Sequence, residues 1–268
     1  NEDRKPHRST GEKLLRWGKG IAAQTPLHKP LLNLQGHFEY RTIMKTPIRE
    51  DVRTGYCISP FKTGTTFVSK VFDWKISKHE PLMFVTLKHI DDDEFLQRRK
   101  SFLDIRVESS GFLSMIAERF VQLNSHEPVL FMIRNPSDWI GSMIDYAPVI
   151  QTRTRYHYAE ELFWQRVGGL VTPRAFHESS PEDQAETVQN LLRFWIKTYS
   201  VALEHDNCHI LRLEEADQNI GTLEEIFGQK AINLDFANKR TNKERKPFSA
   251  WDYVSREEFA ADIAKFGY

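Results

Sequence analysis

Two stretches of the chain repeat the same order of apolar and turn-forming positions. Residues 55–60 form a short apolar run that ends in turn residues, and apolar positions at helical spacing follow it. Residues 129–133 form a continuous apolar run, typical of a strand buried on both faces, and again a helical pattern follows. A third apolar run, residues 209–213, comes after a long amphipathic stretch that begins near Ser180. Strands alternating with helices predict an α/β fold, with a central parallel sheet covered by helices on both faces.

The chain divides by pattern into an arm and one domain. Residues 1–50 carry mixed charges and several prolines without a clean period, which predicts an N-terminal arm that packs on the domain. Residues 51–268 are expected to form a single α/β domain, since the 268-residue chain is long enough for one large core.

Charge and hydropathy exclude several classes of partner. Lys plus Arg and Asp plus Glu number 37 each, so no global field attracts nucleic acid or a membrane surface. No window approaches the ~18 apolar residues of a spanning helix, and the first twenty residues lack the apolar core of a signal peptide. We therefore expect a cytoplasmic protein with no nucleic-acid or membrane partner. The oligomeric state stays open.

The loop after the first strand, residues 59–66 (Ser-Pro-Phe-Lys-Thr-Gly-Thr-Thr), has the composition of an anion-binding loop. Unpaired N–H groups at a helix start favour an anion, Gly64 permits a close backbone approach, and Lys62 adds a cation. In a Walker A loop the Lys follows the second Gly, whereas here it precedes the glycine. The next strand ends in Arg134 instead of an acidic Mg²⁺ partner. An ordinary helix-capping turn with a solvated lysine has the same composition.

A second candidate anion site opens the next strand–helix unit. Arg134 stands at the carboxyl end of its strand, where ligands bind in open α/β sheets. Asn135 is a suitable helix cap, and Ser142 falls four residues after Asp138, hence on the same helix face. Arg134 and Ser142 are placed to hold one phosphate from two directions. The alternatives are an Arg134 ion pair with a carboxylate and core packing of Ser142.

Together the two sites resemble the nucleotide-binding signatures of the sulfotransferases that use 3′-phosphoadenosine 5′-phosphosulfate (PAPS). The first signature reads P-K-[ST]-G-T-T-W, and residues 60–67 read P-F-K-T-G-T-T-F, with one extra residue and Phe for Trp. The second reads R-[ND]-P-x-[DE]-x-x-x-S. Its matching residues are Arg134, Asn135, Pro136, Asp138 and Ser142.

The resemblance implies a P-loop-like form of the central parallel sheet. It also implies a metal-independent transfer of the sulfuryl group to a hydroxyl or amine of a small-molecule acceptor. Adenosine 3′,5′-bisphosphate (PAP) leaves, and Lys62 stabilises the charge that develops on it. The donor-binding residues implied are Lys62, Thr63, Gly64, Thr65, Thr66, Phe67, Arg134 and Ser142. A basic loop at residues 238–247, with Arg245 and Lys246 as the chosen contacts, is expected to close the nucleotide site. A solvated charge run has the same composition.

The general base and the acceptor pocket are less closely defined. Family members place a Glu or His on or beyond the next strand, and Glu80 fits that place, with His79, His89 and His126 as alternatives. The aromatic and basic segment 146–178 is expected to form the acceptor pocket, although an amphipathic lid would look alike. A soluble metabolite enzyme is favoured over a carbohydrate sulfotransferase. The alternatives from other classes are a P-loop kinase and a non-catalytic nucleotide-binding protein.

Overall fold

A computed structural model of the chain describes residues 28–151, 166–167, 173–216, 218–234 and 247–268. Its parallel sheet has the order β2-β3-β1-β4-β5. The strands are β1 (Gly55–Cys57), β2 (Ser77–His79), β3 (Val107–Ser109), β4 (Val129–Ile133) and β5 (Cys208–Arg212). The predicted α/β fold is confirmed, whereas its P-loop-like character stays a prediction.

Helices connect these strands and cover the sheet. They are α1 (His28–Lys45), α2 (Thr65–Val71), α3 (Met83–Lys88), α4 (Asp93–Leu103), α5 (Ala117–Leu123), α6 (Pro136–Gln151), α7 (Pro181–Glu204), α8 (Ile220–Phe227) and α9 (Ala260–Ala264). Short 3₁₀ turns lie at Gly111–Ile116, Pro173–Glu178, Leu213–Glu215 and Ala250–Asp252. Within the described ranges, no helix is long and apolar enough to cross a membrane.

Alternate residues of β4 face two separate apolar cores. Val129, Phe131 and Ile133 pack in the core built with α5, α6 and α7. Leu130 and Met132 pack in the core built with α2 and α8. The continuous apolar run of β4 thus reflects burial on both faces, as its sequence predicts.

The arm predicted at residues 1–50 is described only from His28 onward. There the chain forms the single helix α1, and its buried Ile43 contacts Val85 of α3 and Phe95 of α4.

The chain reverses its direction of winding at β1, and this reversal positions the candidate site. From β1 the chain passes to β2 and β3 on one side, and β4 then pairs with the other side of β1. Since all strands are parallel, their carboxyl ends meet at one edge of the sheet. A crevice at such a reversal is the usual ligand site of open α/β sheets, and the loop after β1 lies in it.

Candidate active site

The two loops that carry Lys62 and Arg134 meet at the carboxyl edge of the sheet. Nη1 of Arg134, just beyond β4, lies 3.5 Å from the carbonyl oxygen of Lys62 in the loop after β1. Two buried indoles hold the backbone of these loops. Trp139 Nε1 donates to the Phe61 carbonyl oxygen at 2.8 Å, and Trp195 Nε1 donates to the Arg134 carbonyl oxygen at 3.1 Å. The structure therefore brings both predicted anion sites to one place.

The loop after β1 needs unusual backbone angles. Gly64 has φ 101°, and an added Cβ would lie 2.6 Å from Leu213 Cδ1, so a side chain there would be both strained and crowded. Lys62 also lies in the left-handed region, with φ 71°. The hydroxyl of buried Thr63 donates a hydrogen bond to the Pro60 carbonyl oxygen at 2.6 Å. The side chain of Thr63, predicted to bind PAPS, therefore stabilises the loop in this structure.

His79, at the end of β2, contacts the first residues of α2. Its Nε2 lies 3.3 Å from the Thr65 hydroxyl and 3.2 Å from the Thr66 hydroxyl. The side chain is 36% exposed, and its partial burial, followed by the charge of Lys70, lowers the pKa of His79 to about 4. The imidazole is consequently neutral at physiological pH and able to accept a proton.

Glu80 follows His79 in a strained position, with its side chain 9% exposed. Its φ is 50°, a value that costs a non-glycine residue about 1–2 kcal/mol. Oε1 accepts a hydrogen bond from the Gly111 amide at 2.9 Å, whereas Oε2 is buried without a partner. Burial is the main cause that raises the pKa of Glu80 to about 8; the Gly111 hydrogen bond opposes this rise, and the nearby Glu108 carboxylate adds to it. Such a perturbed carboxyl group at the ligand edge of a sheet is a mark of functional sites.

A buried ion pair supports both segments that surround Glu80. Arg99, on α4, donates to both oxygens of Glu108 at 2.7 and 2.8 Å, and also to the carbonyl oxygen of Pro81 at 2.7 Å. Glu108 in turn accepts a 2.7 Å bond from Ser110, the residue before Gly111. The pair thus anchors Pro81, which follows Glu80, and Ser110, which precedes the Gly111 donor.

Gly111, which donates a hydrogen bond to Glu80, also packs against the loop after β1. A Cβ at Gly111 would lie 2.8 Å from Phe61 Cδ1 and 3.1 Å from the Phe61 backbone nitrogen. Gly111 therefore contacts the residue that precedes Lys62 in the chain. Glu80, His79 and Lys62 accordingly share one region of the crevice.

Ser142, on α6, is 1% exposed, and its hydroxyl oxygen has no hydrogen-bond partner. The cap predicted at Asn135 is confirmed, because its Oδ1 accepts from the Ser137 amide at 3.0 Å. A Cβ at Gly141 would lie 2.6 Å from Phe248 Cβ, and the Ala250 amide donates to the Ser137 hydroxyl at 3.1 Å. The chain after the predicted basic loop thus packs beside Ser142.

Several predicted residues fall elsewhere or cannot be placed. His89 stacks on Tyr40 of α1, with ring centroids 4.1 Å apart. His126 is exposed shortly before β4 begins, at the opposite edge of the sheet. Arg245 and Lys246 lie outside the described residues, as does most of segment 146–178. Within the described residues, no group of His, Cys, Asp and Glu side chains is arranged to hold a metal ion.

No protein-family model, curated protein or solved structure matches this chain. The residues of the crevice are therefore the guide to function. The sequence did not indicate the Arg99–Glu108 pair, because Arg99 looks like an ordinary surface charge. It did not indicate the hydrogen bonds of the Trp139 and Trp195 indoles either, because each joins residues far apart in the chain and the indoles look like ordinary core aromatics. The apolar stripe of α6 was the one signal that marked Trp139 as buried.

Proposed function

We propose that the protein is a sulfotransferase that moves the sulfuryl group of PAPS to a hydroxyl or amine of a small-molecule acceptor. The observation that carries the proposal is the meeting of two loops at one sheet edge, where Arg134 Nη1 lies 3.5 Å from the Lys62 carbonyl oxygen. A nucleotide with phosphate groups at both ends of its ribose requires two such cationic loops side by side. The signature residues quoted above supply the chemical identity of the donor.

Two unsatisfied atoms support this assignment. Among the described residues, the buried side-chain oxygens or nitrogens without a partner are Glu80 Oε2 and Ser142 Oγ. Each unmade hydrogen bond costs about 1–3 kcal/mol, which is a reason to look for a functional role. Both atoms belong to residues chosen from the sequence for the base and for the 3′-phosphate.

The roles of the residues follow from their positions. Lys62 and the amides of its loop stabilise the negative charge that grows on the leaving 5′-phosphate. Arg134 and Ser142 bind the 3′-phosphate, which ties the nucleotide to α6. Glu80 takes the proton of the acceptor as its oxygen or nitrogen attacks sulfur in line with the leaving group. His79, which is neutral and contacts Thr65 and Thr66, is the competing base.

Binding of nucleotides tests the donor assignment. We expect Arg134→Ala to weaken PAP by about tenfold or more in calorimetry, because a charge-assisted contact contributes about 1.5–3 kcal/mol. The affinity for adenosine 5′-monophosphate, which lacks the 3′-phosphate, should barely change. Lys62→Ala should reduce turnover of PAPS much more than it reduces PAP affinity.

Arg53 provides a matched control at the opposite edge of the sheet. Its side chain is 62% exposed, and it precedes β1 by two residues. Arg53→Ala should leave the affinity for PAP unchanged. Equal affinity of the protein for PAP and adenosine 5′-monophosphate would contradict the proposal, and Mg²⁺-dependent ATP turnover would indicate a kinase instead.

The pH dependence of turnover separates the two candidate bases. If Glu80 is the base, kcat/KM should fall about tenfold per pH unit below its pKa of about 8, since only the carboxylate accepts a proton. If His79 is the base, its pKa of about 4 leaves kcat/KM flat between pH 5 and 9. Glu80→Gln and His79→Asn then identify the group directly.

The cytoplasmic location stays a prediction.

A further inference from the structure

A groove runs beside the crevice, between α7 and the turn Gly111–Ile116 with the following helix α5. Its volume is about 420 Å³, within the range of about 300–1,000 Å³ that small-molecule sites occupy. One wall is a single face of α7, at the helical spacing of three and four residues. Its members are Asn190, Arg193, Phe194, Lys197, Thr198 and Val201. At 1.5 Å per residue, this face is about 16 Å long.

The groove has an apolar floor. Met115 and Ile116 come from the 3₁₀ turn, and Phe194 and Val201 come from α7. Phe194 adds a half-buried ring, which suits a flat ring of a ligand.

Cations outnumber acids around this floor. The basic side chains of the lining are Arg119, Arg166, Arg193 and Lys197, and its acidic side chains are Asp91 and Glu118. Arg166 pairs with Asp91, and Arg119 pairs with Asp93 outside the lining while lying 3.6 Å from Asp91. Arg193 lies 3.5 Å from Glu258, whereas Lys197 has no acidic partner among the described residues. The lining therefore favours an anionic group near Lys197.

Two contacts link the groove to the candidate active site. The Ser114 hydroxyl, in the groove wall, donates to the carbonyl oxygen of Gly111 at 2.6 Å. Gly111 is the hydrogen-bond donor to Glu80. A 3₁₀ turn rises about 2 Å per residue, so Ser114 in the groove wall lies about 6 Å along the turn from Gly111. On the other side, the ring of Phe194 lies 6.2 Å from that of Trp139, whose indole holds the loop of Lys62.

We propose that this groove binds an organic anion, with an oxyanion head near Arg193 and Lys197 and a ring on Phe194. Resting on the proposed function, we infer that this anion is the acceptor class: a ring compound with a hydroxyl group at one end and a carboxylate or sulfate at the other. The length of the α7 face lets the head bind at Lys197 while the hydroxyl group points toward Glu80.

The test uses the fluorescent probe 6-hydroxy-2-naphthoate and its neutral isostere 6-hydroxy-2-naphthamide, titrated into the protein without nucleotide. We expect the carboxylate to bind at least about tenfold more tightly than the carboxamide, because only the carboxylate forms charge-assisted contacts. Lys197→Met and Arg193→Met should each reduce that preference by about three- to tenfold. Lys230→Met, an exposed lysine beyond α8 on the other face of the sheet, should leave it unchanged.

The outcomes separate the groove from the proposed reaction. Equal binding of the two probes, insensitivity to Lys197→Met, or displacement of the carboxylate by PAP would overturn the groove assignment. Probe binding that depends on Lys197, together with a failure to bind PAP, would retain the groove and reject the sulfotransferase. If labelled PAPS sulfates the naphthoate and Lys197→Met raises KM with little change in kcat, both proposals are supported.

Discussion

Glu80→Gln should stabilise the protein, and the gain should grow as the pH rises. The pKa of Glu80 in the folded protein is about 8, against an ordinary value of 4.5. Each pKa unit corresponds to about 1.36 kcal/mol, so ionising the buried carboxyl group costs about 5 kcal/mol at most. Glutamine is neutral at every pH, and its amide oxygen still accepts the Gly111 hydrogen bond.

The sign of the effect follows from proton linkage. Below pH 4.5 Glu80 is protonated in both the folded and the unfolded state, and its burial costs nothing in ionisation. Between pH 4.5 and about 8 only the unfolded chain loses the proton, so the stability of the wild-type protein falls with rising pH. The stability difference between Glu80→Gln and wild type should therefore be about 1 kcal/mol at pH 5, about 3 at pH 7 and about 5 at pH 9.

Urea unfolding at these three pH values measures the difference. Glu94→Gln is the matched control, since it makes the same replacement at a side chain that is 56% exposed. If the Glu80→Gln gain is the same at pH 5 and pH 9, the carboxyl group is not held neutral by burial, and Glu80 is not a base with a raised pKa.

Three further substitutions test other parts of the site. Glu108→Gln leaves the buried Arg99 without its counter-ion and should cost about 3–5 kcal/mol in urea unfolding, whereas Glu94→Gln on the exposed pair of the same helix should cost about 0.5 kcal/mol or less. Gly64→Ala, at φ 101°, should lower the free energy of unfolding by at least about 1 kcal/mol. It should also weaken the affinity for PAP in calorimetry, and an unchanged affinity would contradict a close approach of the backbone to the nucleotide. Ser142→Ala removes an unpaired buried hydroxyl, so thermal unfolding should show a stability equal to wild type or up to about 1 kcal/mol higher, while PAP binds more weakly; a loss of stability would show that the hydroxyl is satisfied in the folded protein.

The strands with apolar runs could be predicted from the sequence, and the others could not. β4 is buried on both faces and reads as five consecutive apolar residues, and β1 and β5 carry similar runs. β2 and β3 were missed because each has three residues and their letters, Ser-Lys-His and Val-Glu-Ser, are mainly polar. Their hydrogen bonds come from pairing with neighbours, which local pattern does not encode.

The candidate site divides in the same way. Lys62 and Arg134 could be placed at one edge because each lies in the loop after an apolar run and parallel strands end together. The strain at Glu80 and the burial of Glu108 depend on α4, whose Arg99 looks from sequence like one more surface charge. A buried arginine is recognised only when its carboxylate partner is located, and that requires the fold.

The indoles of Trp139 and Trp195 are intrinsic fluorophores at the crevice. Trp139 donates its N–H to the loop of Lys62 and Trp195 donates its N–H to Arg134, so each of the two loops contacts a fluorophore. Lengthening or shortening of either hydrogen bond changes the polarity felt by the excited ring and hence the colour of its emission. If the protein binds PAPS as proposed, replacing Trp139 or Trp195 by Phe one at a time would let stopped-flow spectroscopy follow binding at the two loops separately, without any added label.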